Sequence, residues 1–233
     1  LTVAVSSIGI WFLSVEVNII NLFKPGNEIR ESTLFLDREM AGSMNLVLKV
    51  EGDMKEPDIL NKMVDIQDYI SAFPTVNTTF SIADVIKEMH KSIMDNDPAY
   101  ETIPETRGKV NNLFTMYSMS GDPDDFEALV DYEYETGLIT AMMQSVSTKE
   151  IVIMADQIED YIDNIGMEEL KTETSGMMMF LKDFTNLVVQ SSINSIQISI
   201  VLILFIAWIF FRKWKFGLLS VIPLTSAVIL NFG

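Results

Sequence analysis

Three patterns of hydrophobic and polar positions run along the chain, and each predicts a different structure. Residues 44–50 alternate between apolar and polar side chains, which is typical of a half-buried strand. Residues 57–70 and 148–165 carry apolar side chains three or four positions apart, the spacing of one helix face. Residues 184–211 contain no charged side chain. The pattern therefore indicates a sheet with covering helices, followed by a segment of a different kind.

Turn and cap residues divide the first region into two similar units. In the first unit, the strand at 44–50 is followed by a helix that begins at Pro57 and by a short strand at 76–80. In the second unit, a strand at 133–146 precedes the helix at 148–165, which begins with a capping box at Ser147, and a strand at 167–174 closes the unit. Each unit is therefore a predicted βαβ segment.

Other elements are predicted around these units. A further strand is predicted at residues 15–23, followed by a turn and by a helix at 28–40. Residues 81–130 read as a helical insertion, with Ser81 and Asp122 as helix caps. Two βαβ units joined through a helical insertion predict an α+β fold with a ferredoxin-like split βαβ layer, over residues 15–183.

The uncharged residues 184–211 predict a transmembrane helix. They exceed the roughly 20 apolar residues that cross a bilayer. Basic residues at 212–215 predict a turn on the cytoplasmic side, and residues 216–233 predict the start of a next transmembrane helix. Residues 1–14 are interpreted as the end of a preceding transmembrane helix. We expect a multi-pass protein of the cell membrane whose large loop, residues 15–183, lies on the extracytoplasmic side.

Charge excludes several classes of protein. The chain has 33 Asp and Glu against 16 Lys and Arg, and its formal net charge is −17. A nucleic-acid-binding protein needs a basic surface that displaces counterions, so this class is excluded. There is no cysteine, which excludes a disulfide framework and a cysteine nucleophile. The 14 Phe and 15 Met can build a core, so a disordered acidic chain is also excluded.

Catalytic and cofactor motifs are absent from the sequence. It contains no phosphate-binding loop, no GxSxG and no HExxH, and His90 is its only histidine. The acidic runs at 95–97 and 122–125 lack the spacing of a calcium loop and are interpreted as cap and turn residues. We therefore expect neither an enzyme nor a cofactor or metal site. The acidic residues of the helix at 148–165 are interpreted as a solvated face, with steering of cationic substrates as the alternative.

The order of segments and several short strings resemble the resistance-nodulation-division (RND) superfamily, in particular its MMPL-type exporters. Each string is weak alone, but their order and spacing, with apolar segments in matching places, cover essentially the whole chain. One departure is Ser175, where the family has a direct Thr-Gly pair. The strings are LFKP at 22–25, EIR at 28–30, MAGS at 40–43, VEGD at 50–53, SIADVIK at 81–87, IPE at 103–105, TSG at 174–176, FGLLSVIPL at 216–224 and FG at 232–233.

The resemblance implies part of an exporter of lipids or other hydrophobic or amphiphilic compounds, driven by an ion gradient that is expected to be a proton gradient. It implies that the loop is an extracytoplasmic porter domain, that this is the second of two repeats, and that the missing repeat belongs to the same chain. The family's proton-relay residues lie beyond residue 233. The expected partners are the lipid bilayer, a hydrophobic or amphiphilic small molecule and, among some members, further copies of the chain.

Three residues are candidates for a substrate path where the porter layer passes into the membrane helix. Flexible thioethers and aromatic rings suit varied apolar ligands, and Met178, Phe180 and Phe184 lie at this point of the sequence. Packing between the two parts is the plainer interpretation of the same residues. Two alternatives for function stay open: a protein-export accessory or sterol-sensing member of the same superfamily, and a membrane-tethered binding or sensor module.

Overall fold

The computed structural model describes residues 18–120, 128–165 and 171–212, together with Lys215 and Ser226. The chain divides into two compact units. One is Val17–Lys182, here called the sheet unit, and the other combines Leu1–Glu16 with Asp183–Gly233, here called the terminal unit. The described helices and strands are α1 (Glu28–Glu39), β1 (Met44–Glu51), α2 (Pro57–Ser71), β2 (Val76–Ser81), α3 (Ile82–Ile93), α4 (Arg107–Ser120), β3 (Thr136–Met143), α5 (Thr148–Asn164), β4 (Thr172–Ser175) and α6 (Met177–Phe211).

The sheet unit contains a four-stranded antiparallel sheet with the strand order β2-β3-β1-β4. β1 and β3 lie in the centre and pair along their whole length, from Met44 opposite Met143 to Glu51 opposite Thr136. β1 leads to β2 through α2, and β3 leads to β4 through α5. The chain is therefore of mixed helix and sheet, as the α+β prediction requires.

One face of the sheet forms the core. Every second residue of β1 is buried, from Met44 to Val50, and β3 buries alternate residues from Gly137 to Met143. A period of two places these side chains on one face. They pack against the apolar stripes of the helices, which include Leu60, Met63, Ile66 and Ile70 of α2 and Ile151, Met154, Ile158 and Ile162 of α5.

Local signals in the sequence explain where several helices begin. Both predicted capping boxes are present, Ser81 with Asp84 before α3 and Ser147 with Glu150 before α5. Each serine accepts a hydrogen bond from a backbone N–H that has no partner within the helix. Pro57 occupies the first turn of α2, where the missing N–H of proline removes no helix bond. These three predictions are confirmed.

The predicted strand at residues 15–23 is wrong over its described part. Residues Ile19–Leu22 form a 3-10 helix, because the Asn18 side chain accepts a hydrogen bond from the Ile20 N–H at 3.0 Å. Arg30 of α1 then donates to the carbonyl oxygens of Ile20 and Phe23. These carbonyls therefore bond to a side chain, and the alternation of the sequence does not lead to strand pairing.

Two other strands are shorter than predicted. β3 begins at Thr136 instead of residue 133, because Asp131 accepts the backbone N–H groups of Glu135 and Thr136 and Tyr134 adopts a positive φ of 62°. This turn must end before pairing begins. Of the predicted closing strand, Thr172–Ser175 is observed as β4, and residues 166–170 lie outside the described residues. The predicted helix start at Asp122 also lies outside them.

α6 is one continuous helix of 35 residues, and residues Met177–Phe210 are long and apolar enough to cross a membrane by length and composition. The predicted membrane segment at 184–211 lies within it. The predicted end of a transmembrane helix at residues 1–14 lies outside the described residues. So do residues 213 and 214 of the turn at 212–215 and all of the segment at 216–233 except Ser226.

Candidate functional site

The junction segment, residues 172–182, comprises β4 and the first turns of α6, and it belongs to the sheet unit. Gly176 makes the turn between them with a φ of 100°, a backbone conformation that side chains oppose. A Cβ atom at Gly176 would lie 2.7 Å from the carbonyl oxygen of Asn45 in β1. The chain therefore passes from strand to helix in direct contact with the backbone of the central strand.

The first turn of α6 is bound to the sheet unit by its side chains. The Met177 N–H donates to the Asn45 side-chain oxygen at 3.1 Å, which gives the helix a cap from another element. Met178, Met179 and Leu181 are buried in the core cluster of the unit. The helix therefore starts as part of the packed core.

Lys182 fixes the same helix to α5. Its ammonium group lies 2.9 Å from a carboxylate oxygen of Asp156 and 2.8 Å from one of Glu159, and only 12% of its side chain is exposed. Burial opposes the charged form, but the hydrogen bonds to Glu159 and Asp156 outweigh this effect and raise the pKa of Lys182 above its usual value. Part of the acidic face of α5, interpreted from sequence as solvated, therefore holds a lysine.

The three predicted path residues lie in different surroundings. Met178 is fully buried in the core, whereas Phe180 is 61% exposed and Phe184 52% exposed. Residues 180 and 184 are one helical turn apart and share a face of α6, and Met178 points about 160° away from Phe180 because successive residues are about 100° apart on a helix. Helix geometry therefore places the two phenylalanines on one face and excludes Met178 from it. Their role in a substrate path stays a prediction.

A polar cleft lies at the other end of β1, and we call it the distal cleft. Its cavity volume is about 630 Å³. Five of its lining residues are acidic and three are basic. The lining consists of Glu51, Gly52, Asp53, Lys55, Arg107, Asp131, Glu133, Glu135, Thr136 and Lys171. Sequence reasoning missed this site, because its residues come from four separate segments and no motif connects them.

The distal cleft has an ion pair on its wall. Arg107 at the start of α4 donates from Nε and Nη2 to one carboxylate oxygen of Asp53, at 2.9 and 2.7 Å, and its Nε lies 3.0 Å from Glu56. Burial would raise the pKa of Asp53, but the Lys55 N–H and the Arg107 guanidinium outweigh it and hold this pKa below its usual value. More than half of the Arg107 side chain is exposed, so water screens the pair.

His90 and the acidic run at 95–97 lie in turns and caps, and the run at 122–125 lies outside the described residues. His90 Nδ1 donates to the Thr102 carbonyl oxygen at 2.8 Å, and the ring packs edge-on against Tyr100. Asp95 and Asn96 adopt positive φ, and Asp97 caps the 3-10 turn Pro98–Tyr100. Within the described ranges, no three His, Asp or Glu side chains are placed to hold a metal ion.

Comparisons with known proteins were made at the level of families and of individual sequences. No family model matches the chain, and no curated protein matches it at a significant level.

Proposed function

We propose that the chain is part of an ion-gradient-driven exporter of the RND type, which moves lipids or other hydrophobic or amphiphilic compounds across the cell membrane. In this proposal the sheet unit is an extracytoplasmic porter domain, and α6 is one helix of a multi-pass membrane region. The gradient is proposed to be a proton gradient, and transport would depend on a second repeat of the same chain.

One observation carries the proposal. A four-stranded antiparallel sheet with the strand order β2-β3-β1-β4 is followed along the chain by a helix of membrane-crossing length and composition. We propose that this sheet is the ferredoxin-like split βαβ layer that the resemblance of the sequence strings implies for a porter domain. A helix that leaves such a layer as part of its packed core is suited to couple movements of the layer to the membrane.

The features of the junction segment support this role. Contacts of Gly176, Asn45 and Lys182 hold residues 177–182, the first turns of α6, to β1 and α5 within the sheet unit. Transporters move substrate by rocking of repeats around a binding site, and this mechanism requires rigid connections. We assign the junction segment to this connection.

A second function has one observation in its favour. In the part of the chain that the structure describes, one helix passes the test for a membrane span, and the sheet unit carries the open distal cleft. A membrane-tethered binding module would have this arrangement and would need no ion gradient.

Energy-dependent efflux separates the two functions. Cells that produce the native protein containing this sequence are loaded with Nile red, an uncharged lipophilic dye, and are then energised with and without a protonophore. The exporter proposal predicts dye efflux that requires the protein and stops with the protonophore. Equal efflux from cells that lack the protein would leave the binding module as the supported function.

A further inference from the structure

We propose that a groove on α6 binds one hydrocarbon chain of an uncharged amphiphile, with Gln197 hydrogen-bonded to its polar head. The groove has a volume of about 450 Å³ and is lined by Gln197, Ile198, Val201, Leu202 and Phe205. This inference rests on the proposed membrane placement of α6 and adds a site and a class of ligand to it.

The depth of the groove follows from the length of α6. A helix of about 20 residues crosses the hydrocarbon of a bilayer. Counted back from Arg212, whose charge opposes entry, such a span covers residues 192–211. With a rise of 1.5 Å per residue, Gln197 lies about 8 Å inside the outer boundary, and the groove extends about 12 Å further to Phe205. The groove therefore lies at the depth of the lipid chains.

The outer end of the groove is polar without being charged. Gln190, Asn194 and Gln197 lie along one side of α6, at spacings of four and three residues, and the structure exposes all three. The Gln190 amide donates to Asn194 at 3.1 Å, whereas Gln197 has no hydrogen bond to any described residue. An amide at this depth needs a partner, because hydrocarbon offers none.

Charge selects the kind of head group. No charged residue lies between Asp183 and Arg212, so neither a carboxylate nor an ammonium group would find an ion pair beside Gln197. An amide can both donate to and accept from a hydroxyl, an ester or another amide. A neutral polar head with an adjoining hydrocarbon chain therefore fits the groove.

The lining also favours a lipid chain over a second helix. Below Gln197 the groove is formed by four large apolar side chains, each more than half exposed, and Phe205 packs towards Trp208. Helices that pack in membranes use small residues at their contacts, and none is present among the described lining residues. The small residue Ala207, in contrast, is buried.

Photolabelling of the full chain tests the site. The protein is reconstituted in phosphatidylcholine vesicles with a monoacylglycerol that carries a diazirine in its chain. We expect saturable labelling of the peptide that contains residues 197–205. Val201→Trp, which fills the groove, should abolish this labelling, and Gln197→Leu should weaken binding roughly fivefold, the effect of one lost hydrogen bond. The fatty acid with the same diazirine, whose head is a carboxylate, should label the peptide less.

Matched variants and a membrane control make the result decisive. Ser199→Leu and Ile203→Trp make similar changes at similar depth on other sides of α6 and should leave labelling unchanged. Retention of the chain in vesicles after alkaline carbonate treatment tests the membrane placement separately. Extraction would overturn both proposals. Retention with equal labelling of all variants would overturn the groove alone.

Discussion

The two ends of the sheet unit carry the same type of ion-pair cluster in different surroundings. At the junction segment, Lys182 bridges Asp156 and Glu159, and at the distal cleft Arg107 bridges Asp53 and Glu56, with all distances between 2.7 and 3.0 Å. The exposed fraction of the cation is 12% for Lys182 and 53% for Arg107. The two clusters therefore differ in the strength of their ion pairs despite similar distances, because solvent screens the cluster at Arg107.

The comparison assigns different roles to the two ends. Buried contacts at the junction segment hold the first turns of α6 to the sheet, as a rigid connection requires. The distal cleft leaves its charged groups in contact with water, where they can exchange partners. A change at the junction segment should therefore destabilise the sheet unit more than a matched change at an exposed position.

The largest effect is expected from the core contact of α6. Met178→Ala should lower the free energy of unfolding of the sheet unit by about 2–5 kcal/mol, because a fully buried side chain leaves a cavity. Met177→Ala, at the neighbouring exposed position, should change it by less than about 0.5 kcal/mol. Hydrogen exchange of β1 and β3 peptides in urea, with the full chain in detergent micelles, measures both. Equal effects would contradict the buried start of α6.

The next effect concerns the backbone turn before α6. Gly176→Ala should lower the free energy of unfolding of the sheet unit by about 2–3 kcal/mol. The positive φ of this residue is already unfavourable for alanine, and the new Cβ would contact the Asn45 carbonyl oxygen. Gly26→Ala is the control, because Gly26 also has a positive φ but has open space around it, and it should cost about 1 kcal/mol. The same exchange experiment applies. A larger loss of stability in Gly26→Ala than in Gly176→Ala would show that the contact between the new Cβ and the Asn45 carbonyl does not determine the loss at Gly176.

Removal of each cation compares the ion-pair clusters directly. Lys182→Met should lower the free energy of unfolding by about 1–3 kcal/mol, because the carboxylates of Asp156 and Glu159 lose the largely buried ammonium group that they share. Arg107→Met should lower the free energy of unfolding by less than Lys182→Met does, because water screens the exposed Arg107 ion pairs. Since the pKa of Lys182 is raised, its contribution is complete at neutral pH and is lost only as the pH rises through that raised value. Urea unfolding of both variants at pH 7 measures the two effects. A larger effect of Arg107→Met than of Lys182→Met would contradict the stronger ion pairs at the junction segment.

The smallest effect is an acid dependence at the distal cleft. The lowered pKa of Asp53 means that its contribution is complete above the usual pKa near 3.8 and is lost as the pH falls through the lower folded-state value. Solvent screening keeps it to a fraction of about 1 kcal/mol. Asp53→Asn should therefore flatten the acid limb of the stability curve slightly and leave the Met178→Ala effect unchanged. An acid limb that is the same in Asp53→Asn and in the unchanged chain would show that the Asp53–Arg107 ion pair does not stabilise the sheet unit.

Local signals predicted much of the fold. Pro57, Ser81 and Ser147 mark helix starts because proline and capping side chains act on backbone groups within a few residues. The alternation at 44–50 predicted a half-buried strand because one face of β1 meets the helices. Where a side chain changed the local bonding, as Asn18 does at residues 18–22 and Asp131 does before β3, alternation alone predicted too much strand.

The long-range contacts could not be predicted from periodicity. Lys182 is 23 residues from Glu159, and Arg107 is 54 residues from Asp53. Neither spacing follows from a helix or strand period, so the tertiary fold alone brings these charges together. The burial of Met178 was missed for the same reason, since three consecutive methionines give no sign of which side faces β1.

We propose that α6 crosses a membrane and that residues 15–183 lie on the extracytoplasmic side. The sequence has no cysteine, so within these 233 residues a single introduced cysteine reports its own location. Tyr132→Cys, at a position that is 90% exposed in the sheet unit, and Lys215→Cys, beyond the end of α6, are treated in intact cells with a membrane-impermeant maleimide. The account predicts labelling at position 132 at once and at position 215 only after the membrane is permeabilised. Labelling of both positions in intact cells, or of position 215 alone, would contradict it.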